Sequence, residues 1–270
     1  MKNEGENDHL KGRIRDLWRG ASQQEYMTHS RFLSLAEQAD AMDVLSAEGA
    51  PAAQGRAGEG PFWLLRGGTP EADRRILICC PSWMEMPEKD PGEIDGGLIC
   101  CLRAEPKSER FTDHPGHRDY LGALMNLGFT REQIGDIYAD EGGAWIFMMK
   151  EMSEVVIREL ISVRHTAVKV REVPLEACTA AQRTEVLSGS IASERIDCIV
   201  AMAFHLSRGQ AQSLIEAEKV YSGGRIVSGP AYRPAPGERI SVRGKGKFIY
   251  LGVRGTTRKG RMQAGVSMFV

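Results

Sequence analysis

The sequence has no long hydrophobic run, and no window approaches the roughly 20 consecutive apolar residues that span a bilayer. Its first twelve residues are charged and polar, which indicates that no signal peptide is present. Aromatic residues make up only 7% of the chain, but hydrophobic residues reach 42% and charged residues 26%, as in ordinary globular proteins. These features predict a cytoplasmic chain with reduced thiols and no membrane partner.

The spacing that a zinc site needs is also missing. The six cysteines occur as two adjacent pairs and two singles, namely Cys79, Cys80, Cys100, Cys101, Cys178 and Cys198. Neither pair has the two-residue gap that turns two thiolates toward one metal ion, and neighbours on a strand point to opposite faces. We therefore expect these side chains to be small buried hydrophobic groups, with no metal and no cofactor.

No combination of residues predicts a complete active site. Four histidines could serve as ligands or acid-base groups, namely His114, His117, His165 and His205. No two of them lie at the spacing of one helix face with a carboxylate partner. The Gly-rich turn that follows the first strand of a methyltransferase is absent as well. We expect no enzymatic activity and no small-molecule substrate.

Charge is distributed unevenly along the chain. The net charge is −1, but the segment from Ser190 onward contains 13 Lys and Arg against 5 Asp and Glu, a net of +8. The preceding residues contain 22 against 31, a net of −9. Such asymmetry predicts one end that binds a polyanion and another that is solvated or faces protein, although a solvated basic surface would produce the same count.

Hydrophobic patterns divide the chain into three regions. Helical spacing over residues 10–46 predicts two or three short helices, and a segment rich in Ala, Gly and Pro follows it. Short apolar runs then predict strands, at residues 74–80, 96–104, 144–150 and 167–173, and apolar stripes predict helices, at residues 117–128 and 152–163. We predict an α+β chain with an N-terminal helical region and linker (1–60), an RRM-like or ferredoxin-like α/β sandwich (61–176) and a third domain (190–270).

The last region combines a helix pair with a hairpin. Ser207 is placed to cap the second helix, and a Ser-Gly-Gly turn separates two short strands. Helix N-termini and guanidinium groups both favour anions, and residues 239–261 contain eight basic residues and no acid. The predicted phosphate contacts and orienting groups are Arg195, Ser207, Arg208, Gln210, Lys219, Arg225, Arg243, Lys245, Lys247, Arg258 and Lys259.

This pattern resembles the alpha-L RNA-binding domain named after small-subunit ribosomal protein S-four. The matching positions are Arg195-Ile196-Asp197, Leu206-Ser207-Arg208, Ala211, Leu214-Ile215, Val220, Gly237-Glu238, Ile240 and Val242. One departure is Ser222-Gly223, which stands where the hairpin of that family usually has Asn-Gly. The turn chemistry is kept, but a contact from that Asn is missing.

A second resemblance extends upstream, to YlmH-like proteins of Gram-positive bacteria. The positions that carry it are Phe111, residues 117–125, Leu127-Gly128, Arg131-Glu132, residues 134–137, residues 242–248 and residues 257–261. This resemblance implies binding to the large ribosomal subunit with an obstructed peptidyl-tRNA, through ribosomal RNA and possibly tRNA, in ribosome-associated quality control. Gene neighbourhood in that family also implies a link to cell division.

One enzymatic alternative stays open. His117-Arg118-Asp119 resembles the His-Arg-Leu-Asp motif of pseudouridine synthases, which often carry the same RNA-binding domain, but the Leu is absent. At the start of a helix, Asp119 is better explained as a capping residue. The first alternative is an RNA-modifying enzyme whose middle domain is catalytic through Asp119 or Asp136. The second is a protein-interaction scaffold in which the acidic N-terminal region matters most.

Overall fold

The computed structural model describes residues 2–53, 59–85, 94, 97–108, 113–178, 184–256 and 260–269. The chain divides into two compact units, residues 1–181 and residues 182–270. None of the helices described is long and apolar enough to cross a bilayer.

Two helices begin the first unit. Helix α1 is Lys2–Gln23 and helix α2 is Leu35–Ala47, with the short strand β1, Thr28–His29, between them. Ser34 starts α2 with a capping box: its hydroxyl accepts a hydrogen bond from the Glu37 amide at 3.4 Å, and the Glu37 carboxylate accepts one from the Ser34 amide at 2.7 Å. The N-terminal helical region is therefore confirmed, with a first helix longer than the sequence pattern predicts.

A three-stranded antiparallel sheet follows in the order β1, β3, β2. Strand β2 is Phe62–Arg66 and strand β3 is Ile76–Cys80. The strand prediction for residues 74–80 is confirmed, but its assignment to the α/β sandwich is wrong. All five side chains of β3 are buried, and a uniformly apolar run carries no signal that tells which sheet it joins.

The middle of the chain forms a five-stranded sheet in the order β5, β6, β4, β8, β7, with every neighbouring pair antiparallel. Its elements are β4 Ile99–Pro106, α3 His117–Asn126, β5 Ile134–Asp140, β6 Gly143–Met149, α4 Ser153–Glu159, β7 Ser162–Val163 and β8 Thr166–Val173. The succession β4-α3-β5-β6-α4-β8 is the ferredoxin-like arrangement predicted from the sequence. Strand β5 was not predicted, because its register shifts between Ile134 and Ile137 and this breaks the alternation of apolar residues.

Both faces of the middle sheet are covered. On one face, Tyr120 and Leu124 of α3 and Val156 of α4 pack against the sheet. On the other face, Phe147 packs with Phe62 and other residues of the three-stranded sheet. This second face is the one that RRM domains leave open for bases, so base stacking across it is blocked where the small sheet covers it.

The second unit is a six-stranded antiparallel sheet in the order β11, β10, β12, β13, β14, β9, with two helices. Its elements are β9 Thr184–Ile191, α5 Ile196–Ala203, α6 Arg208–Glu216, β10 Val220–Ser222, β11 Arg225–Ile226, β12 Arg239–Val242, β13 Gly246–Thr256 and β14 Met262–Phe269. The predicted helix pair, hairpin and following strand are confirmed. Strands β9, β13 and β14 were not predicted. Strand β9 is rich in polar and small residues, and glycines at Gly252, Gly255 and Gly265 interrupt the apolar pattern of β13 and β14.

The helices cover one face of this sheet. Ile199 of α5 and Ile215 of α6 are buried in one cluster with Ile240, Phe248 and Val266 of the strands. Side chains at the intervening strand positions are half-buried or exposed. Within the described residues of the second unit, the sheet therefore has one face covered by helices and one open face that no helix of this unit covers.

Phe147 is expected to be a main stabilising residue of the first unit, because it is fully buried (0% exposed) between two sheets. Phe147→Ala should lower the free energy of unfolding of that unit by about 3 to 5 kcal/mol. The matched control is Ile161→Ala, at a side chain that is 63% exposed, and it should change stability by less than about 0.5 kcal/mol.

Tryptophan fluorescence during urea unfolding isolates this effect, because all four tryptophans lie in residues 1–181, namely Trp18, Trp63, Trp83 and Trp145. An unchanged urea midpoint for Phe147→Ala would contradict the packing of the two sheets on each other.

Candidate nucleic-acid interface

The turn between α5 and α6 is held by a capping box. Leu206 donates its amide to the Ala201 carbonyl at 2.8 Å, and this closes the end of α5. The Ser207 hydroxyl then accepts from the Gln210 amide at 3.2 Å, and the Gln210 side chain accepts from the Ser207 amide at 2.9 Å. Ser207 and Gln210 therefore fix the start of α6, and both remain exposed there.

A buried carboxylate lies beneath this turn. Asp197 is 0% exposed, and Arg208 Nε donates to its Oδ2 at 2.9 Å. Arg195 Nε and Nη2 donate to Oδ1 and Oδ2, each at 3.2 Å. Gln212 Nε2 and the Cys198 amide donate to the same carboxylate, both at 3.0 Å. Two guanidinium groups from different segments are thus held by one acid.

Electrostatics keep that acid ionised. Burial acts to raise the pKa of Asp197, but the hydrogen bonds from Arg208, Gln212 and Arg195 outweigh it and hold the pKa below its ordinary value of 3.8. With two guanidinium groups for one carboxylate, the cluster has a net charge of +1. The Arg208 side chain is 53% exposed and that of Arg195 is 31% exposed, so each has N–H groups directed to solvent in a fixed orientation.

The hairpin provides a second group of predicted residues. Gly223 and Gly224 have φ values of 52° and 85°, which identifies a two-residue turn that glycine favours. Lys219 is exposed before β10, and Arg225 is exposed on β11 opposite Ser222. The turn of the predicted Ser-Gly-Gly segment is confirmed, with the two glycines at its central positions.

Glu238 is a residue whose structural role the sequence did not suggest. Ser222 and Tyr232 both donate their hydroxyls to Glu238 Oε1, and the Ala235 amide donates to Oε2 at 2.7 Å. The carboxylate therefore joins the loop after β11 to the hairpin. Glu238 is one of the positions that match the alpha-L RNA-binding domain, and these hydrogen bonds give it a structural role that needs no contact to RNA.

The basic segment forms the turn between β12 and β13. Arg243 donates its amide to the Lys219 carbonyl at 2.8 Å, and Lys245 donates its amide to Val242 at 2.9 Å. Arg243 and Lys245 are exposed, and Lys247 is half-buried. The structure thus brings Lys219 close to this turn, whereas Arg195, Ser207, Arg208 and Gln210 form a separate group at the α5–α6 turn. Arg258 and Lys259 lie outside the described residues, as does Phe111.

A cleft of about 420 Å³ lies between β9 and α5. Its lining includes Arg208, Arg261, His205, Met202 and Ser190, so a cation of the α5–α6 turn contributes to it. The sequence could not predict this cleft, because β9 forms one of its walls and was itself missed.

The carboxylates of the enzymatic alternative have structural contacts. Asp119 Oδ2 accepts from the Gly116 amide at 2.9 Å at the start of α3, as expected for a capping residue, and Arg164 Nη1 lies 3.6 Å away. Asp136 Oδ2 accepts from the Asp73 amide at 2.7 Å. No cluster of three or more His, Cys, Asp or Glu suited to a metal ion occurs in the described part of the chain.

Five of the six cysteines are buried, as the sequence predicts, and Cys178 is half-buried. Burial raises the pKa of Cys79, Cys100 and Cys101 to about 12 in each case. These thiols are therefore protonated at neutral pH and serve as packing groups.

Asp197→Asn tests the buried network. The substitution keeps the shape but leaves two guanidinium groups without their counter-charge, so it should cost about 3 kcal/mol of stability near neutral pH. Because the folded pKa of Asp197 lies below 3.8, the wild-type advantage is complete above about pH 5 and is lost as pH falls through the folded pKa.

Urea unfolding followed by circular dichroism from neutral to acid pH measures this difference. Asp16→Asn is the control, because that side chain is 78% exposed. If the difference in free energy of unfolding between wild type and Asp197→Asn did not decrease in acid, Asp197 would not be ionised in the folded protein.

Comparison with known proteins gives two family matches. Residues 107–177 match the family described as "Putative RNA-binding domain in YlmH", and residues 194–240 match the S4 domain. The chain is 27% identical over 244 residues to "Ribosome-associated protein quality control protein P2" of Bacillus subtilis (strain 168), which covers 90% of this chain and 88% of the relative. A solved structure, "Cell division protein ylmH from Streptococcus pneumoniae", aligns with a TM-score of 0.44 and 16% identity over 64% of this chain and 90% of that chain. The chain therefore contains a domain that matches the RNA-binding domain of YlmH, followed by an S4 domain.

Proposed function

We propose that this chain binds structured ribosomal RNA on the large ribosomal subunit that carries an obstructed peptidyl-tRNA, and acts there in ribosome-associated quality control without catalysing a reaction. The observation that carries this proposal is the cationic cluster in which Asp197 orients Arg195 and Arg208 at the exposed α5–α6 turn. Ribosomal RNA, the large subunit and possibly tRNA are the proposed partners, in the cytoplasm.

The geometry of the cluster suits phosphate groups. A guanidinium held by a carboxylate on one edge keeps its remaining N–H donors in a fixed direction, so little side-chain entropy is lost when an anion binds. Ser207 and Gln210 are exposed at the start of α6, where the helix dipole favours negative charge. Arg195, Arg208, Ser207 and Gln210 are therefore proposed to contact and orient one stretch of RNA backbone.

The exposed residues around the hairpin extend this surface. We assign phosphate contacts to Lys219, Arg225, Arg243, Lys245 and Lys247, and to Arg258 and Lys259 from the sequence alone. A chain region with 13 basic and 5 acidic residues attracts RNA over distances longer than a hydrogen bond.

The ribosomal context is supported by the relative named for ribosome-associated quality control, since that similarity covers 90% of this chain. For the domains we propose the boundaries 1–60, 61–176 and 190–270, with β2 and β3 of the second segment paired to β1 of the first. Because the three-stranded sheet packs on the middle sheet, we propose that the middle domain contacts RNA or protein through its helices, loops and strand edges. The absence of catalysis is supported by the capping contact of Asp119 and the backbone contact of Asp136.

Sedimentation of a cell lysate through sucrose gradients tests the ribosomal proposal. At low salt the protein should travel with large ribosomal subunits, and at high salt it should return to the top of the gradient, because phosphate contacts are released by counterions. Migration with free protein at both salt concentrations would contradict the proposal.

Lys245→Ala tests the phosphate contacts. This lysine is exposed in the turn between β12 and β13, so its loss should leave the fold intact. Affinity for purified large subunits should weaken, and the slope of log affinity against log salt should fall by about one unit. Lys169→Ala, at an exposed lysine on β8 of the first unit, is the matched control and should leave the slope unchanged. If Lys245→Ala and the wild type showed equal slopes of log affinity against log salt, the turn between β12 and β13 would not belong to the RNA interface.

A further inference from the structure

The open face of the six-stranded sheet carries a set of side chains that neither the S4 pattern nor the sequence analysis assigned together. We name it the outer sheet face and define it by the strand positions that alternate with the buried ones. These are Tyr221, Ile226, Arg239, Ser241, Lys247, Ile249, Leu251, Ser267, Phe269 and Val186. Their register places them on the side of the sheet opposite α5 and α6.

Cations on this face lie over aromatic rings. The Lys247 ammonium is 4.6 Å from the centre of the Phe269 ring, and the Arg239 guanidinium carbon is 5.4 Å from the same ring. The Arg243 guanidinium carbon is 5.8 Å from the ring of Tyr221. These contacts restrain long side chains that otherwise move freely, and they leave the cationic groups at the surface.

A fourth cation belongs to the same face. A Cβ placed on Gly265 of β14 would lie 3.3 Å from Arg254 Nε and 3.5 Å from the Cβ of Leu251. Arg254 therefore extends along β14 on the side where Leu251 lies. Gly265 allows this close approach, because any side chain there would displace the guanidinium.

Carboxylates are directed away from the outer sheet face. In the described part of the second unit, Asp197 is buried under α6, Glu194 accepts from the inward-facing Tyr250, and Glu238 binds Ser222 and Tyr232. Glu185 pairs with Met268, which packs against the helix side. Glu216 ends α6 and Glu218 follows it. Among the residues that the structure describes on this face, apolar and hydroxyl side chains surround the four cations.

We propose that the outer sheet face is a second RNA-binding site, which takes an unpaired RNA strand, separate from the α5–α6 turn. Cations alone would suit any RNA backbone. Apolar side chains between them, such as Ile249 and the 50% exposed Ile226, suit the flat faces of unpaired bases, which a duplex keeps stacked inside. The chain would then bind a paired RNA segment at the α5–α6 turn and an unpaired RNA segment at the outer sheet face. The first of these two contacts rests on the proposed function.

Fluorescence anisotropy with the full-length chain tests this site. The probes are a single-stranded RNA of about 12 nucleotides without self-complementarity, within the range that one small domain covers, and a hairpin RNA with the same number of phosphates. Arg239→Gln and Lys247→Gln should each lower the salt slope for the single strand by about 0.7, and together by about 1.4. Hairpin binding should stay near the wild-type value for Arg239→Gln, whereas Lys247→Gln should weaken it, because Lys247 is also among the proposed phosphate contacts to structured RNA.

Two further variants distinguish specific binding at the outer sheet face from nonspecific electrostatic attraction of RNA to the chain. Lys169→Gln is the matched control, because this exposed lysine lies on β8 of the first unit, and it should leave the single-strand slope unchanged. Phe269→Leu keeps every charge but removes the ring, and it should weaken single-strand binding about five-fold or more, as expected for loss of an aromatic contact to a base.

Single-strand binding that Arg239→Gln, Lys247→Gln and Phe269→Leu all leave unchanged would overturn the proposal. Displacement of the single strand by an oligoglutamate of equal charge would also overturn it, by marking a site for acidic protein segments. If the wild-type chain binds the hairpin but not the single strand, the second site is wrong and the proposed function stands. If it binds neither RNA, the proposed function fails as well.

Discussion

A β-sheet must bury at least one face. In this chain, the helices or strands that pack on each face determine which sheet surfaces remain available for binding. The middle sheet has helices on one side and the three-stranded sheet on the other, with Phe147 fully buried between the two sheets. The sheet of the second unit is covered by α5 and α6 on one side alone. A domain of RRM-like topology therefore has its usual base-stacking surface occupied, and the open sheet surface lies in the unit with the positive charge.

A buried carboxylate organises that second unit. Asp197 would be costly to bury alone, so its position depends on Arg195, Arg208 and Gln212. The dependence is mutual, because the guanidinium groups take their orientation from the acid and would repel each other without it. The single carboxylate neutralises only one of the two guanidinium groups, so a positive charge remains at the α5–α6 turn. The same interaction thus stabilises the helix pair and prepares it to meet an anion.

The predictions from sequence succeeded where local chemistry decides the structure. Ser207 with Gln210, and Gly223 beside Gly224, form a cap and a turn whose signals lie within four residues. They failed where distant pairing decides it. Strand β9 joins β14 across more than 70 residues, and nothing in its own polar sequence marks it as a strand. The outer sheet face was missed for the same reason, since Phe269 meets Lys247 and Arg239 through register alone.

A chain with a net charge of −1 can still bind a polyanion, because salt limits the reach of charge. At physiological ionic strength the Debye length is about 8 Å, so a phosphate responds mainly to charges within that distance. The acidic residues before Ser190 oppose binding only where they come that close to the RNA. The excess of acid there also keeps the chain near neutrality, which limits adhesion to arbitrary RNA. In the proposed function, selectivity therefore rests on oriented groups, such as the guanidinium groups held by Asp197 and the cations of β12 and β13 that contact aromatic rings, rather than on total charge.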